Sequence, residues 1–272
     1  MTDQVSYPTP YPEVNAVLNV LLPDVQEILG DQFIGMYLYG SLASGDFDQS
    51  SDVDFVVVTQ AELSEALVSS LQAMHIRIAK IDSWCATQLE GSYIPQAALK
   101  RYDLVRALYV HIDRGPDEPF QKMHLDNASL SRAWWGGWVI LRSNLRDRGI
   151  ALAGPAIRTL IDPVTPDDLR QATLAVLHGW AEPIIADSAQ ITSHGYQSYI
   201  VLTLCRMLYT LQYGTLVSKP VAARWAQAAL GEPWGSLIER AWIGRQNPHG
   251  ERQPDDVNGT LAFIRFTLEH SQ

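Results

Sequence analysis

Cysteine is nearly absent from this chain: Cys85 and Cys205 stand far apart, in apolar surroundings, among 272 residues. Two distant thiols make neither a disulfide framework nor the paired spacing of a zinc site, so a reducing cytoplasm is the expected compartment. Basic residues are in deficit too, with 20 Lys and Arg against 30 Asp and Glu, a formal net charge of −10. Phosphate-backbone binding requires a basic surface, so no nucleic-acid partner is expected. An acidic protein attracts cationic ligands, although solubility alone accounts for such a balance. There is no run of about 18 or more apolar residues, so no membrane span is expected. Residues 1–12 lack a basic segment followed by an apolar stretch, which argues against a signal peptide. What remains is globular: 47% hydrophobic and 18% charged residues are enough for a sizeable core in one large domain or two modest ones.

The pattern along the chain divides in two. Val14, Val17, Leu18, Leu21, Leu22, Val25 and Ile28 recur at helical spacing, with Pro23 arguing against one unbroken helix and Gly30 ending it. Residues 33–39 read as a strand, 40–45 as a small-residue turn, and 53–58 as a second strand that is apolar except for Asp54. Residues 62–74 form an amphipathic helix, and 88–94 and 105–112 two further strands. Strand signals then almost vanish. A long helix carrying Trp134, Trp135, Trp138 and Leu141 ends at Gly149, and further helices follow residues 162–166, where Asp162-Pro163-Val164-Thr165-Pro166 reads as a linker and helix start. The expected fold is α+β: an α/β domain over residues 1–162 and an all-α helical bundle over residues 163–272.

One constellation carries chemistry. Ser51-Asp52-Val53-Asp54 leads into a strand, and residues two apart on a strand share a face, so Asp52 and Asp54 point the same way. Side-by-side carboxylates repel unless a cation sits between them. Magnesium answers this, because it takes a few carboxylates together with phosphate oxygens and water. Upstream, Gly40 and Gly45 allow close backbone approach to a phosphate, and Ser41 offers a hydroxyl and exposed amides. A Gly-Ser turn or an Asp-x-Asp pair alone is more often a cap or a turn. Together, between two strands, they make a triphosphate cradle with a metal clamp. The His residues show no ligand spacing, and His75, His111 and His124 read as core or surface residues. The Trp134, Trp135 and Trp138 cluster reads as helix packing.

These motifs resemble a known family. Leu38-Tyr39-Gly40-Ser41 through Gly45, followed by Ser51-Asp52-Val53-Asp54-Phe55, is similar to the signature of the nucleotidyltransferase superfamily, whose catalytic domain is polymerase-beta-like. Gln88 to Pro95, Ala151 to Pro155, Ile161 to Val164, Val201 to Arg206 and Lys219 to Ala226 resemble the streptomycin/spectinomycin (aminoglycoside) adenylyltransferases, across nearly the whole chain. The resemblance implies that Glu90 is the base for the acceptor hydroxyl, that Ser41 and Ser51 belong to the nucleotide cradle, and that Arg206 and Lys219 from the helical domain bind the triphosphate. It also places acidic residues before the Arg-bearing helix. Counting back from Arg206, those positions are Thr192 and Tyr196 here, with Glu182 and Asp187 the nearest carboxylates. The family's drug-stacking Trp has no clear counterpart.

The expected activity is therefore transfer of AMP from ATP to a hydroxyl on a small cationic acceptor. Asp52 and Asp54 hold magnesium, Glu90 takes the proton, and Arg206 and Lys219 stabilise the leaving pyrophosphate. Two other uses of the motif stay open on sequence: an antitoxin-like or regulatory protein keeping the fold, and AMP transfer to a protein side chain.

Overall fold

The computed structural model describes residues 8–101, 108–112, 121–124, 132–191, 193–248, 250 and 254–271. The chain forms two compact units, one of Met1–Asn127 with Asn144–Pro163, the other of Ala128–Ser143 with Val164–Gln272.

The first unit is a mixed sheet backed by helices. Its elements are α1 (Pro12–Leu29), β1 (Phe33–Leu38), α2 (Gly40–Ser44), β2 (Val53–Thr59), α3 (Glu65–Ile78), β3 (Leu89–Pro95), α4 (Gln96–Lys100), β4 (Leu108–Ile112) and β5 (Gln121–His124). Helix α5 (Arg132–Arg148) leads into β6 (Ile150–Ala153). Among the described residues the sheet order is β5-β4-β3-β2-β1-β6, with β2 and β3 parallel and the other pairs antiparallel. Strand alternation separates two faces. Met36, Leu38, Phe55, Val57, Tyr93 and Val110 pack in one core with Val14, Leu18, Leu21 and Val25 of α1 and Leu71, Met74 and Ile78 of α3. Each such fully buried side chain contributes roughly 1.5–3 kcal/mol.

The helix α1 runs unbroken through Pro23, contrary to the expected interruption. Proline removes the hydrogen bond to the carbonyl four residues back, here that of Asn19; both residues are exposed, so water can serve that carbonyl. Buried Val17, Leu18 and Leu21 before Pro23, and Val25 and Leu29 after it, hold both halves to one core. The sheet also gains β5 and β6, which the apolar pattern did not foretell. Residues 105–107 of the strand expected over 105–112 lie outside the described residues.

The second unit is helical: the first part of α5, then α6 (Pro166–Ala186), α7 (His194–Tyr213), α8 (Lys219–Leu230), α9 (Trp234–Gln246) and α10 (Pro254–Glu269). Thr165 and Asp168 form a capping box at the start of α6. Burial on α7 recurs at Ile200, Leu204 and Leu208, which pack with Ala222 and Ala226 of α8, Ile238 and Ala241 of α9 and Phe263 of α10. The division of the chain differs from the expected boundary at residue 162, because α5 up to Ser143 belongs to the helical unit. Val139 and Ile140 pack with Val164, Leu169, Ala172 and Leu216, whereas Arg146 donates to the carbonyls of Arg158 and Ile161, both at 2.6 Å, within the first unit. Trp138 is buried on α5; the side chains of Trp134 and Trp135 lie outside the described residues. Among the described residues no helix is long and apolar enough to cross a membrane.

Candidate active site

Strands β1, β2 and β3 assemble the carboxylates. The Tyr39 N–H donates to the Asp54 carbonyl at 3.1 Å, extending the β1–β2 ladder to the residue before Gly40. Asp54 is directly paired with Glu90 across the parallel β2–β3 ladder. Paired residues share a face and their strands run about 4.8 Å apart, so the two carboxylates are neighbours on the face opposite the α1–α3 core. Asp52 stands just before β2, whose first N–H, that of Val53, donates to the Gln88 carbonyl at 2.8 Å. All three acidic side chains are half-buried.

The field around Tyr39 shows that they converge. Its phenol is pushed well above its ordinary pKa, first by burial, then by the charges of Asp54 and Glu90, and further by Tyr109 and Asp52. One hydroxyl thus lies within electrostatic reach of all three carboxylates and stays a neutral donor. The neighbouring Tyr109 is raised to about 12 by burial.

Gly40 is fixed by the same geometry. It has φ +65°, and a Cβ there would lie 1.9 Å from Asp54 Oδ2. The backbone of the Gly-Ser element therefore rests directly on the metal-binding candidate, a closer tie than phosphate approach alone implied. Residues 40–44 form the short helix α2 where a turn was expected, with Ser41 half-buried in its first turn. Ser51 is tied into its own loop. Its buried hydroxyl accepts from the Asp48 N–H and donates to the Asp48 carboxylate, both at 3.1 Å. Those bonds brace the loop that delivers Asp52. Phe47 anchors the same loop between Tyr11 and Trp84, at centroid distances of 4.8 and 5.9 Å.

Three residues at this site were missed by sequence reasoning. Tyr39 was legible as the residue completing β1 before Gly40. Arg148 donates from Nη1 to Ser44 Oγ at 3.3 Å on α2, a contact spanning about a hundred positions that no local pattern announces. His111, read as core or surface, is half-buried and its Nδ1 lies 2.9 Å from Ser92 Oγ. Ser92 is two residues beyond Glu90 and paired with His111, so both share the carboxylate face. His75, in contrast, is a core residue: it bonds the Tyr93 hydroxyl at 2.8 Å, and burial lowers its pKa to about 3.

Arg206 and Lys219 belong to the helical unit. Arg206 is half-buried on α7, and Lys219 opens α8 with its Nζ 5.2 Å from the ring centroid of Tyr199. Tyr196 lies in the first turn of α7, its N–H capped by Ser193 Oγ at 3.1 Å. Thr192 is outside the described residues.

Among the described residues no group of three His, Cys, Asp or Glu is arranged to hold a metal ion. A pair of carboxylates is nevertheless what magnesium uses when substrate phosphates and water complete its shell, and Asp52 with Asp54 supplies such a pair. The donor set fits.

The comparisons agree with this architecture. Residues 19–128 match the nucleotidyltransferase domain family, and residues 159–269 match the aminoglycoside adenylyltransferase C-terminal domain family. An aminoglycoside (3'') (9) adenylyltransferase of Escherichia coli is 26% identical over 266 residues, covering 93% of this chain and 94% of that protein. A spectinomycin 9-adenylyltransferase of Staphylococcus aureus is 27% identical over 257 residues, covering 91% and 92%. Among solved structures, spectinomycin adenyltransferase AAD(9) from Enterococcus faecialis, crystallised with ATP and spectinomycin, superimposes with a TM-score of 0.68 at 20% identity, covering 93% of this chain and 98% of that one. With a carboxylate-bearing nucleotidyltransferase domain followed by the helical domain of these enzymes, the chain belongs to the aminoglycoside adenylyltransferase family of nucleotidyltransferases.

Proposed function

We propose that this enzyme transfers AMP from ATP to a hydroxyl of a cationic aminoglycoside or aminocyclitol such as streptomycin or spectinomycin. The observation that carries the reading is the pairing of Asp54 with Glu90 on adjacent parallel strands, with Asp52 one step before β2. Glu90 accepts the proton of the acceptor hydroxyl. The hydroxyl oxygen bonds to the α-phosphorus as the bond to the bridging oxygen of pyrophosphate breaks, leaving an AMP ester, pyrophosphate and a protonated Glu90. Asp52 and Asp54 would hold magnesium, which offsets phosphate charge when bound. Gly40 and Ser41 present the start of α2 to the triphosphate, and the resemblance assigns Arg206 and Lys219 to its charge. Tyr39 remains protonated among the carboxylates. ATP as donor and two buried free thiols suit a reducing cytoplasm. The match over both domains favours an enzyme over a short antitoxin-like module and over a protein-modifying role.

The test is pyrophosphate release from magnesium-ATP across an aminoglycoside panel. Glu90→Gln keeps the shape of the side chain but cannot take a proton. It should lower turnover about 10²–10⁴-fold and leave ATP affinity nearly unchanged. Wild-type turnover in this variant would remove Glu90 as the base, and parallel loss of ATP affinity would make it chiefly a metal ligand.

A further inference from the structure

Helix α2 holds only five residues, and isolated helices shorter than about 12 residues are marginal in water. Its place beside the carboxylates must therefore be fixed by ties to the rest of the first unit. Buried Leu42 supplies one, packed into the core beneath the sheet. A second runs through Ser44. Its hydroxyl donates back to the Gly40 carbonyl at 2.9 Å and accepts from Arg148 Nη1 at 3.3 Å. The two bonds point one way, guanidinium to hydroxyl to carbonyl, so each polarises the next. A charged donor at the head of the chain makes it stronger than a neutral serine bond alone. The chain ends on the residue that meets the carboxylate: a Cβ on Gly40 would lie 1.9 Å from Asp54 Oδ2. Arg148 reaches this point because of the sheet. The antiparallel β1–β6 ladder pairs Tyr37 with Ala151 and Leu38 with Ile150, and the same register continued by two residues sets Arg148 opposite Gly40. Arg148, Ser44, Gly40 and Asp54 all belong to the first unit. Neither the chemistry proposed above nor the resemblance gives this arginine a part.

Resting on the adenylyl-transfer reading above, we propose that Arg148 is a positioning residue for the transfer: by way of Ser44 it fixes the Gly40 backbone, and with it the place of the Asp54 carboxylate. In this role it acts through Ser44 and does not itself touch substrate. Without it the single turn of α2 is free to shift at its Ser44 end, and the close packing of Gly40 on Asp54 passes that shift to the carboxylate.

Steady-state kinetics with magnesium-ATP and streptomycin or spectinomycin, together with a denaturant-unfolding curve for each variant, tests this. Arg148→Ala and Ser44→Ala should each lower kcat about 10- to 100-fold, the cost of displacing a reacting group by up to about 1 Å, while the acceptor KM stays within about threefold. Both act through one chain of bonds, so the double variant should fall within about threefold of the slower single, whereas independent effects would multiply. Ser44→Thr keeps the hydroxyl and should recover most of the rate. Ser44→Ala keeps the proposal falsifiable if Arg148→Ala does not fold, because alanine is a better helix former than serine and leaves α2 intact. Near-wild-type kcat in both alanine variants, with or without a lowered unfolding midpoint, overturns the proposal. So does a slow Arg148→Ala beside a normal Ser44→Ala, which would place the guanidinium directly on phosphate, or a double variant whose losses multiply. A wild-type enzyme inert toward every cationic acceptor sinks the adenylyl-transfer reading and this one together; normal wild-type turnover with unaffected alanine variants sinks only this one.

Discussion

Gly40→Ala isolates the link between the Gly-Ser element and the carboxylates. The added methyl would lie 1.9 Å from Asp54 Oδ2 and 2.8 Å from its Cγ. Reaching an ordinary contact of about 3.4 Å requires the carboxylate or the α2 backbone to retreat by about 1.5 Å. The backbone adds a separate cost, because φ +65° at this residue disfavours any L side chain by about 1–2 kcal/mol. Displacing a reacting group by about 1 Å costs on the order of 10²-fold in rate, so kcat/KM should fall at least that far. Gly45→Ala is the control. It shares a positive φ, +76°, but its new methyl meets nothing within 4 Å. Gly45→Ala should lose about 1–2 kcal/mol in thermal or denaturant unfolding and Gly40→Ala at least as much, and only Gly40→Ala should lose the catalytic rate. Near-wild-type turnover of Gly40→Ala, or equal rate losses in the two variants, would refute the claim that Gly40 sets the position of Asp54.

Other outcomes follow from the same structure. The triphosphate role proposed for Arg206 and Lys219 predicts that truncating either to Ala weakens ATP binding about 10- to 150-fold, equivalent to a charge-assisted contact of about 1.5–3 kcal/mol; calorimetry finding no change in either refutes that role. The folded-state pKa of His75, lowered to about 3, means that the unfolded chain binds a proton the folded one refuses between about pH 6.5 and 3. Stability from this residue is full above about pH 6.5 and falls on acidification by up to about 1.4 kcal/mol per unit; His75→Gln should flatten that limb, and an unaltered slope would contradict the assignment. Burial raises the Cys85 thiol to about 11, with Glu13 adding to the shift, and raises Cys205 to about 12. Neither should react with a thiol reagent in the native enzyme at neutral pH, and fast labelling would show that one is accessible.

The legible parts of the fold were those with a strong local pattern. Asp54 is conspicuous because every other residue of its strand is apolar or Thr, and the core helices α1, α3 and α7 announce themselves by period. The pairing of Asp54 with Glu90 is a register between strands 36 positions apart, and no single segment encodes it. The four-residue strands β5 and β6 escaped for a related reason. An edge strand such as β6 draws its ladder from β1, through Leu38 with Ile150 and Tyr37 with Ala151, and needs no long apolar run of its own. The bonds of Ser51 to Asp48 emerge only when the loop is closed.

Sheet and helix solve one problem in the same way. On β2, Phe55 and Val57 are fully buried in the core while Asp54 projects from the other face; on α7, Ile200, Leu204 and Leu208 face the bundle, with Tyr196 packed against it, while Tyr199 is exposed. The carboxylate of the proposed site on β2 thus contributes little to the core, and replacing it need not unfold the protein. The chemistry of phosphate transfer ties Asp52, Asp54 and Glu90 to one residue type each, which is why a motif marks them.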